Sequence, residues 1–271
     1  MGLGKSKILL DNAALLFEEQ KISGLIIVTP KGNLRNWDIH EITKHLPERV
    51  DRNVLVWQPN HTKKWLREFE KITKEDSTGT LNIFLINVEA FATIKACKFV
   101  EEFLVTHDAM MVIDESTTIK NPKAKRTKHL IKLAPLADYR RILTGFPITK
   151  APLDLYSQCY FLSPNLLGFS SYYAFRARYS ITQSRTMGRH SFQQIIGFQK
   201  LEELYPDEVE IRYDKNPLKL DESTSNGEMP PIDSLEDMKW ADVIVINNIS
   251  NYGGPYTARV LGLSLIHISE P

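Results

Sequence analysis

Two short stretches of this chain carry residues that could do phosphate chemistry. The first is Met1-Gly2-Leu3-Gly4-Lys5-Ser6. Its Gly4-Lys5-Ser6 is the second half of a phosphate-binding loop, G-x-x-x-x-G-K-[ST]. Glycines such as Gly2 and Gly4 let backbone N–H groups close around phosphate oxygens. The Lys5 ammonium would reach the β and γ phosphates, and the Ser6 hydroxyl would ligate Mg²⁺. The second stretch is Asp114-Glu115, delivered by the apolar run Met110-Met111-Val112-Ile113. One carboxylate, Asp114, can hold the Mg²⁺ shell while Glu115 orients and deprotonates an attacking water. Solvated acids at a strand end are the plainer reading. With Gly4-Lys5-Ser6 upstream, the pair points instead to an ATPase. A second Asp-Glu-Ser-Thr, at Asp221 to Thr224, follows no apolar strand and reads as a polar loop.

A phosphate loop needs a helix behind it, with its N-terminal dipole facing the phosphates. Residues 7–20 place Leu9, Leu10, Ala13, Leu16 and Phe17 near helical spacing. The loop also needs a strand before it and a glycine five residues ahead of Gly4. That position would lie upstream of Met1. The motif is therefore accidental, or the chain is a fragment incomplete at its N-terminus. Downstream, apolar runs predict strands over 24–29, 54–57, 81–87, 109–113 and 140–144. Helices are predicted over 33–46, 62–72 and 95–106. Strands alternating with helices imply an α/β fold with a parallel sheet, and ligands bind at the strands' C-terminal ends.

Composition narrows the class. With 42% hydrophobic and 25% charged residues the chain reads as globular, and a net charge of +1 removes any whole-chain argument for binding nucleic acid or membrane. Cys97 and Cys159 give no metal cluster and no disulfide framework, which suits a reducing, cytosolic setting. No run of about 18 apolar residues exists, so no membrane partner is expected. A local patch remains: Lys120, Lys123, Lys125, Arg126, Lys128 and Lys132 occur with no acid among them. They would neutralise phosphates or form a solvated helix face. Tyr172, Tyr173, Phe175 and Tyr179 sit among Arg176, Arg178 and Arg185. They could stack on bases, but core packing of an inserted helical segment is the favoured reading. His40, His45, His61, His107, His129 and His190 show no metal spacing and read as surface or capping residues.

Several motifs in order give the chain a resemblance. Beside Met1 to Ser6 and Asp114-Glu115-Ser116 stand Ile26-Ile27-Val28-Thr29-Pro30 with Asn36-Trp37, and Ile119-Lys120-Asn121-Pro122. Lys125-Arg126-Thr127, Leu143-Thr144-Gly145-Phe146-Pro147-Ile148 and Asp154-Leu155-Tyr156-Ser157-Gln158 follow. Over residues 1–204 these resemble motifs I, Ia, II and III of the switch/sucrose-non-fermenting type ATPases of helicase superfamily two. The resemblance implies a RecA-like parallel sheet flanked by helices, the first of two lobes of a double-stranded-DNA translocase or remodelling ATPase. ATP and Mg²⁺ would be its cofactors and duplex DNA and a second RecA-like lobe its partners. It gives Lys5, Asp114 and Glu115 to catalysis and Ser6 and Asp114 to the metal. Thr144 and Gly145 would couple nucleotide state to DNA, and Thr29, Pro30, Lys31, Lys123, Lys125 and Arg126 would contact DNA. Phe146 stands where relatives carry Thr or Ser. A strand-separating helicase and a non-catalytic DNA- or protein-binding lobe are the alternatives. The setting implied is the cytoplasm of a bacterial or phage-infected cell, or a nucleoid.

From residue 205 the texture changes. Polar, acidic, proline-bearing sequence runs to 231, with a possible strand over 209–213. Residues 241–260 read as a plain strand–loop–helix unit, weakly similar around Gly253-Gly254 to the opening of a nucleotide-sugar glycosyltransferase domain. Nothing here resembles the expected second lobe. Residues 205–262 are therefore expected to be unrelated or loosely attached. Residues 263–271 resemble a translated sequencing adapter, a tail with no role in the fold.

Overall fold

The computed structural model describes residues 4–74, 79–187 and 190–204. Met1, Gly2 and everything expected of residues 205–271 lie outside the described residues. Helix α1 (Lys5–Glu18) comes first, then strand β1 (Gly24–Thr29). A run of helical turns follows: a 3₁₀ turn at Lys31–Asn33, α2 (Leu34–Asn36), a π turn at Trp37–Glu41 and α3 (Ile42–His45). After it come β2 (Arg52–Val56), α4 (Lys63–Lys74), β3 (Leu81–Asn87) and α5 (Ile94–Thr106). Then follow β4 (Ala109–Asp114), α6 (Lys125–Leu133), β5 (Tyr139–Leu143) and α7 (Leu155–Leu162). Helix α8 (Tyr172–Tyr179), β6 (Ser180–Met187), β7 (His190–Phe198) and α9 (Leu201–Leu204) complete the described chain.

Strands β1 to β5 form one sheet in the order β2-β3-β1-β4-β5, and every pair is parallel. The α/β lobe expected from the motifs is thus present. The sequence shows why. In β1 every residue is buried, so side chains must be apolar on both faces. Alternation splits them. Leu25 and Ile27 pack with Ile83, Leu85, Met110 and Val112 against Leu9, Leu10 and Ala13 of α1 and Ile42 of α3. Ile26 and Val28 pack with Phe84, Ile86, Met111 and Ile113 against Phe69 of α4, Phe103 of α5, Leu130 of α6 and Phe161 of α7. Helices therefore cover both faces and leave the strand ends as the open edge.

Two expectations need revision. The single helix predicted over 33–46 is four consecutive helical segments, with the π turn beginning at buried Trp37. The inserted segment is not all helical: β6 and β7 pair antiparallel as a separate two-stranded sheet. Its Ser-Ile-Thr-Gln-Ser-Arg-Thr-Met strand is almost wholly exposed, so it carries no apolar alternation to read.

Three of the histidines differ from the surface reading, whereas His40 is exposed as expected. His107 is largely buried between Ser23 Oγ (3.1 Å) and the Ile72 carbonyl (2.7 Å). His61 stacks on Trp65 at 4.2 Å, and His129 Nδ1 lies 2.6 Å from the Phe91 carbonyl. Burial holds the pKa of both His61 and His107 below its ordinary value.

Candidate active site

The chain enters α1 through Gly4, which sits at φ 74°, ψ 11° as the N-cap residue. Only glycine adopts this left-handed conformation without steric cost. No side chain caps the helix and no acid occupies its first turn. The N–H groups of that turn therefore have no side-chain acceptor among the described residues, as a phosphate-binding helix end requires. Lys5 and Ser6 are half-buried beside them.

Strand β4 brings Asp114-Glu115 to the same edge. Lys5 Nζ lies 3.9 Å from Glu115 Oε1, so the first turn of α1 and the end of β4 converge. Glu115 itself is strained, at φ 50°, ψ 60°. A non-glycine residue held there is uncommon and costs of order 1–3 kcal/mol, and such sites concentrate where function demands a particular side-chain direction. Burial raises the Glu115 pKa above its ordinary value. Neighbouring Lys5 pulls it down and Asp114 pushes it further up.

Asp114 is buried, and its Oδ2 accepts two hydrogen bonds. Thr29 Oγ1 donates at 2.8 Å and Trp37 Nε1 at 2.9 Å. Thr29, expected near DNA, is fully buried, so its hydroxyl serves Asp114 and is shielded from any strand outside. Of the other residues expected near DNA, Lys31, Lys123 and Lys125 are exposed and Pro30 is half-buried. Lys123 Nζ lies 5.9 Å over the Tyr173 ring. Arg126 is half-buried, and its buried Nε has no partner among the described residues.

Sequence reasoning missed a polar link behind the acid pair. Ser116 Oγ donates to Gln158 Oε1 at 2.6 Å. Gln158 Nε2 in turn donates to the Pro147 carbonyl (2.7 Å) and the Asp154 carbonyl (2.8 Å). Both side chains are fully buried. The loop after β5, with Thr144 buried and Gly145 half-buried, is thus tied to the residue following Glu115. Asp154 closes the same loop, accepting from the backbone N–H groups of Thr149 and Lys150 and from Lys120 Nζ at 3.3 Å. These hydrogen bonds hold its carboxyl below the usual range against the opposing effect of burial, which is the larger single influence. The signal available was a glutamine within the largely apolar helix α7, beside Ser157. Phe146, at the loop's tip, is 54% exposed. Of the aromatic cluster, Phe175 and Tyr179 are buried with Leu153, Tyr156 and Leu204, and only Tyr173 is exposed. The core-packing reading suits all but that residue.

A parallel sheet with a glycine-led helix and an acid pair at one edge defines a nucleotide-binding α/β lobe. The family model for the SNF2-related domain matches residues 1–203. The chain belongs to the SNF2-related domain family. It is 27% identical over 169 residues to the chromatin-remodeling ATPase INO80 of Saccharomyces cerevisiae, covering 61% of this chain and 11% of that protein. INO80 of Candida albicans is 28% identical over 181 residues, 64% of this chain and 12% of the relative. The SNF2 domain-containing protein ENL1 of rice is 27% identical over 208 residues, 75% and 20% respectively. The chain therefore spans about a tenth to a fifth of these relatives' length. Among solved structures, the Sulfolobus solfataricus SWI2/SNF2 ATPase core in complex with dsDNA is similar, with 30% identity and a TM-score of 0.49. That match covers 66% of this chain and 33% of the other. No helix among the described residues is long and apolar enough to cross a membrane.

Proposed function

We propose that residues 1–204 are the ATP-hydrolysing first lobe of a double-stranded-DNA translocase, a remodelling ATPase that works with a second lobe. The observation that carries this reading is the convergence of Lys5 with Asp114-Glu115 at the C-terminal edge of the sheet. The N–H groups opening α1 and the Lys5 ammonium would neutralise the β and γ phosphates. Glu115, held opposite Lys5, would orient the attacking water and take its proton.

The residues fit a Mg²⁺ ion. Asp114 offers Oδ1, which accepts no hydrogen bond among the described residues, and Ser6 offers a hydroxyl. An oxygen-only set that leaves places for water and phosphate is what Mg²⁺ takes. When bound, it would offset developing charge on the phosphates. Lys31, Lys123, Lys125 and Arg126 would follow the DNA backbone through sequence-independent phosphate contacts. Thr144 and Gly145, tied through Pro147 and Gln158 to Ser116, would pass the state of the nucleotide to that surface. The names of the relatives, chromatin-remodeling ATPases, favour this over a non-catalytic lobe. The setting proposed is wherever the chain meets cellular or phage DNA, the cytoplasm or nucleoid.

The test is phosphate release by the genomic protein that carries this lobe, with and without duplex DNA. Stimulation by duplex without strand displacement supports translocation. Strand displacement would favour the helicase alternative, and absence of turnover would leave only a binding lobe.

A further inference from the structure

We propose that Trp37 and Thr29 are positioning residues for the Asp114 carboxylate, clamping both ends of the exposed segment 30–36 to the metal-binding group. The inference rests on the reading of Asp114 as the metal-side carboxylate.

Both donors reach the same oxygen. Thr29 Oγ1 lies 2.8 Å and Trp37 Nε1 2.9 Å from Asp114 Oδ2. All three residues are buried. Hydrogen bonds to an ionised carboxylate are roughly twice as strong as neutral ones. An indole N–H can only donate, so Trp37 has one way to satisfy itself here. Two donors on Oδ2 fix the rotation of the carboxyl group and leave Oδ1 as the free ligand atom. Without them the carboxylate would have to be ordered at the moment of metal binding, and that ordering would weaken affinity.

The donors come from the two ends of one segment. Thr29 closes β1, and Trp37 opens the π turn Trp37–Glu41. A π turn is rare and is frequent at functional sites, because its extra residue resets which side chains face inward. Between them Lys31, Gly32, Asn33, Arg35 and Asn36 are all exposed. The segment therefore hangs between two hydrogen bonds to one carboxylate. Ordering Asp114 around a metal must stiffen it, and displacing the segment must disturb Asp114.

The experiment uses the genomic protein that carries this lobe, with its phosphate loop whole. Mn²⁺, a paramagnetic substitute for Mg²⁺, is titrated in the presence of the imido analogue of ATP, and free Mn²⁺ is read by electron paramagnetic resonance. Trp37→Phe removes the donor and keeps an aromatic ring. Thr29→Val removes the hydroxyl and keeps the shape, so it decides the matter should the tryptophan variant fold poorly. Each should raise the half-saturating Mn²⁺ concentration about tenfold, the low end for groups that orient a metal ligand. Nucleotide affinity without metal should not change. A merely structural role would not move the second readout, hydrogen exchange of the amides at 31–36. Mn²⁺–nucleotide should slow exchange there in the parent chain and not in Trp37→Phe. Folded variants that bind Mn²⁺ like the parent, or that keep the metal-dependent protection, overturn this inference alone. A parent chain with no metal-dependent nucleotide binding overturns the reading of Asp114 and this inference with it.

Discussion

Replacing Gln158 by leucine should expose how much of the lobe depends on one buried amide. Leucine has nearly the volume of glutamine, so the cost is not a cavity. It is the loss of three hydrogen bonds, one from Ser116 Oγ and two to the carbonyls of Pro147 and Asp154. The Asp154 carbonyl caps the first turn of α7 and keeps the helical N–H bond that a cap position provides. The Ser116 hydroxyl and the Pro147 carbonyl would be left buried without their partner. Each orphan costs about 1–3 kcal/mol, so Gln158→Leu should cost about 2–6 kcal/mol. For a lobe of this size 1 kcal/mol moves the thermal midpoint by about 2–4 °C. The expected drop is therefore about 4–24 °C, read by circular dichroism or scanning calorimetry. Ser116→Ala in the same background removes one orphan and should recover about 1 kcal/mol. A double-mutant cycle over the two positions should then show a coupling of about 1 kcal/mol or more. Strict additivity, or a midpoint within about 2 °C of the parent, would refute the claim that this link ties the end of β4 to the loop after β5.

Glu115→Gln should keep nucleotide binding and abolish hydrolysis in the genomic protein, since the amide preserves size and cannot accept the proton. Lys5→Ala should weaken nucleotide binding itself, and fluorescence titration with a labelled ATP separates the two. Burial raises the Glu115 pKa. The folded state therefore holds that proton more tightly than the unfolded chain, and the group's favourable contribution is present at low pH and lost as pH rises through the raised pKa. Glu115→Gln should raise the unfolding midpoint at pH 7 and not below pH 4.5; the acid limb of the rate profile should correspondingly lie above that ordinary value. Gly24→Ala should destabilise by about 1–3 kcal/mol. A Cβ there would meet His107 Cβ and Phe103 Cε1, each at 2.8 Å, and a midpoint unchanged by the methyl group would contradict that contact. Deleting residues 205–271 should shift the midpoint by less than about 2 °C, under about 1 kcal/mol; a larger drop would make that part integral to the fold.

The sheet was legible because its strands are buried on both faces. Apolar runs such as Leu25 to Val28 and Met110 to Ile113 have no other stable place, so strand positions agree to within one or two residues. That Lys5 and Asp114-Glu115 should meet was legible because phosphate chemistry admits few residue types, and the two do converge. What the sequence concealed was partnership across long separations. Thr29 and Trp37 meet Asp114 from 85 and 77 residues away, and Gln158 meets Ser116 from 42. No periodicity encodes such pairs. Thr29 was placed near DNA, together with Pro30 and Lys31, by the family resemblance alone. By the two-residue alternation of β1 its side chain follows Leu25 and Ile27 onto the α1 face, where it meets Asp114. The β6–β7 hairpin was hidden for the opposite reason, since a strand exposed on both faces leaves no hydrophobic pattern.

The register of the sheet explains why the chemistry gathers where it does. Val28 pairs with Ile113 across β1 and β4, and Asp114 pairs with Leu143 across β4 and β5. One step further along each strand, Thr29 stands beside Asp114, and Thr144 follows Leu143 at the next row. Three short polar side chains from distant parts of the chain thus share one edge, directly after the last buried apolar row. A one-residue slip of β1 would set Val28 or Pro30 beside Asp114, and neither carries a hydroxyl. The same slip would turn Leu25 and Ile27 away from α1 and bring Ile26 and Val28 against it. Core packing against two different helical layers therefore fixes the register, and the register in turn fixes the hydrogen bond to Asp114. Placing the site at the strand ends lets its polar groups meet solvent and ligand while the apolar rows behind them hold the geometry.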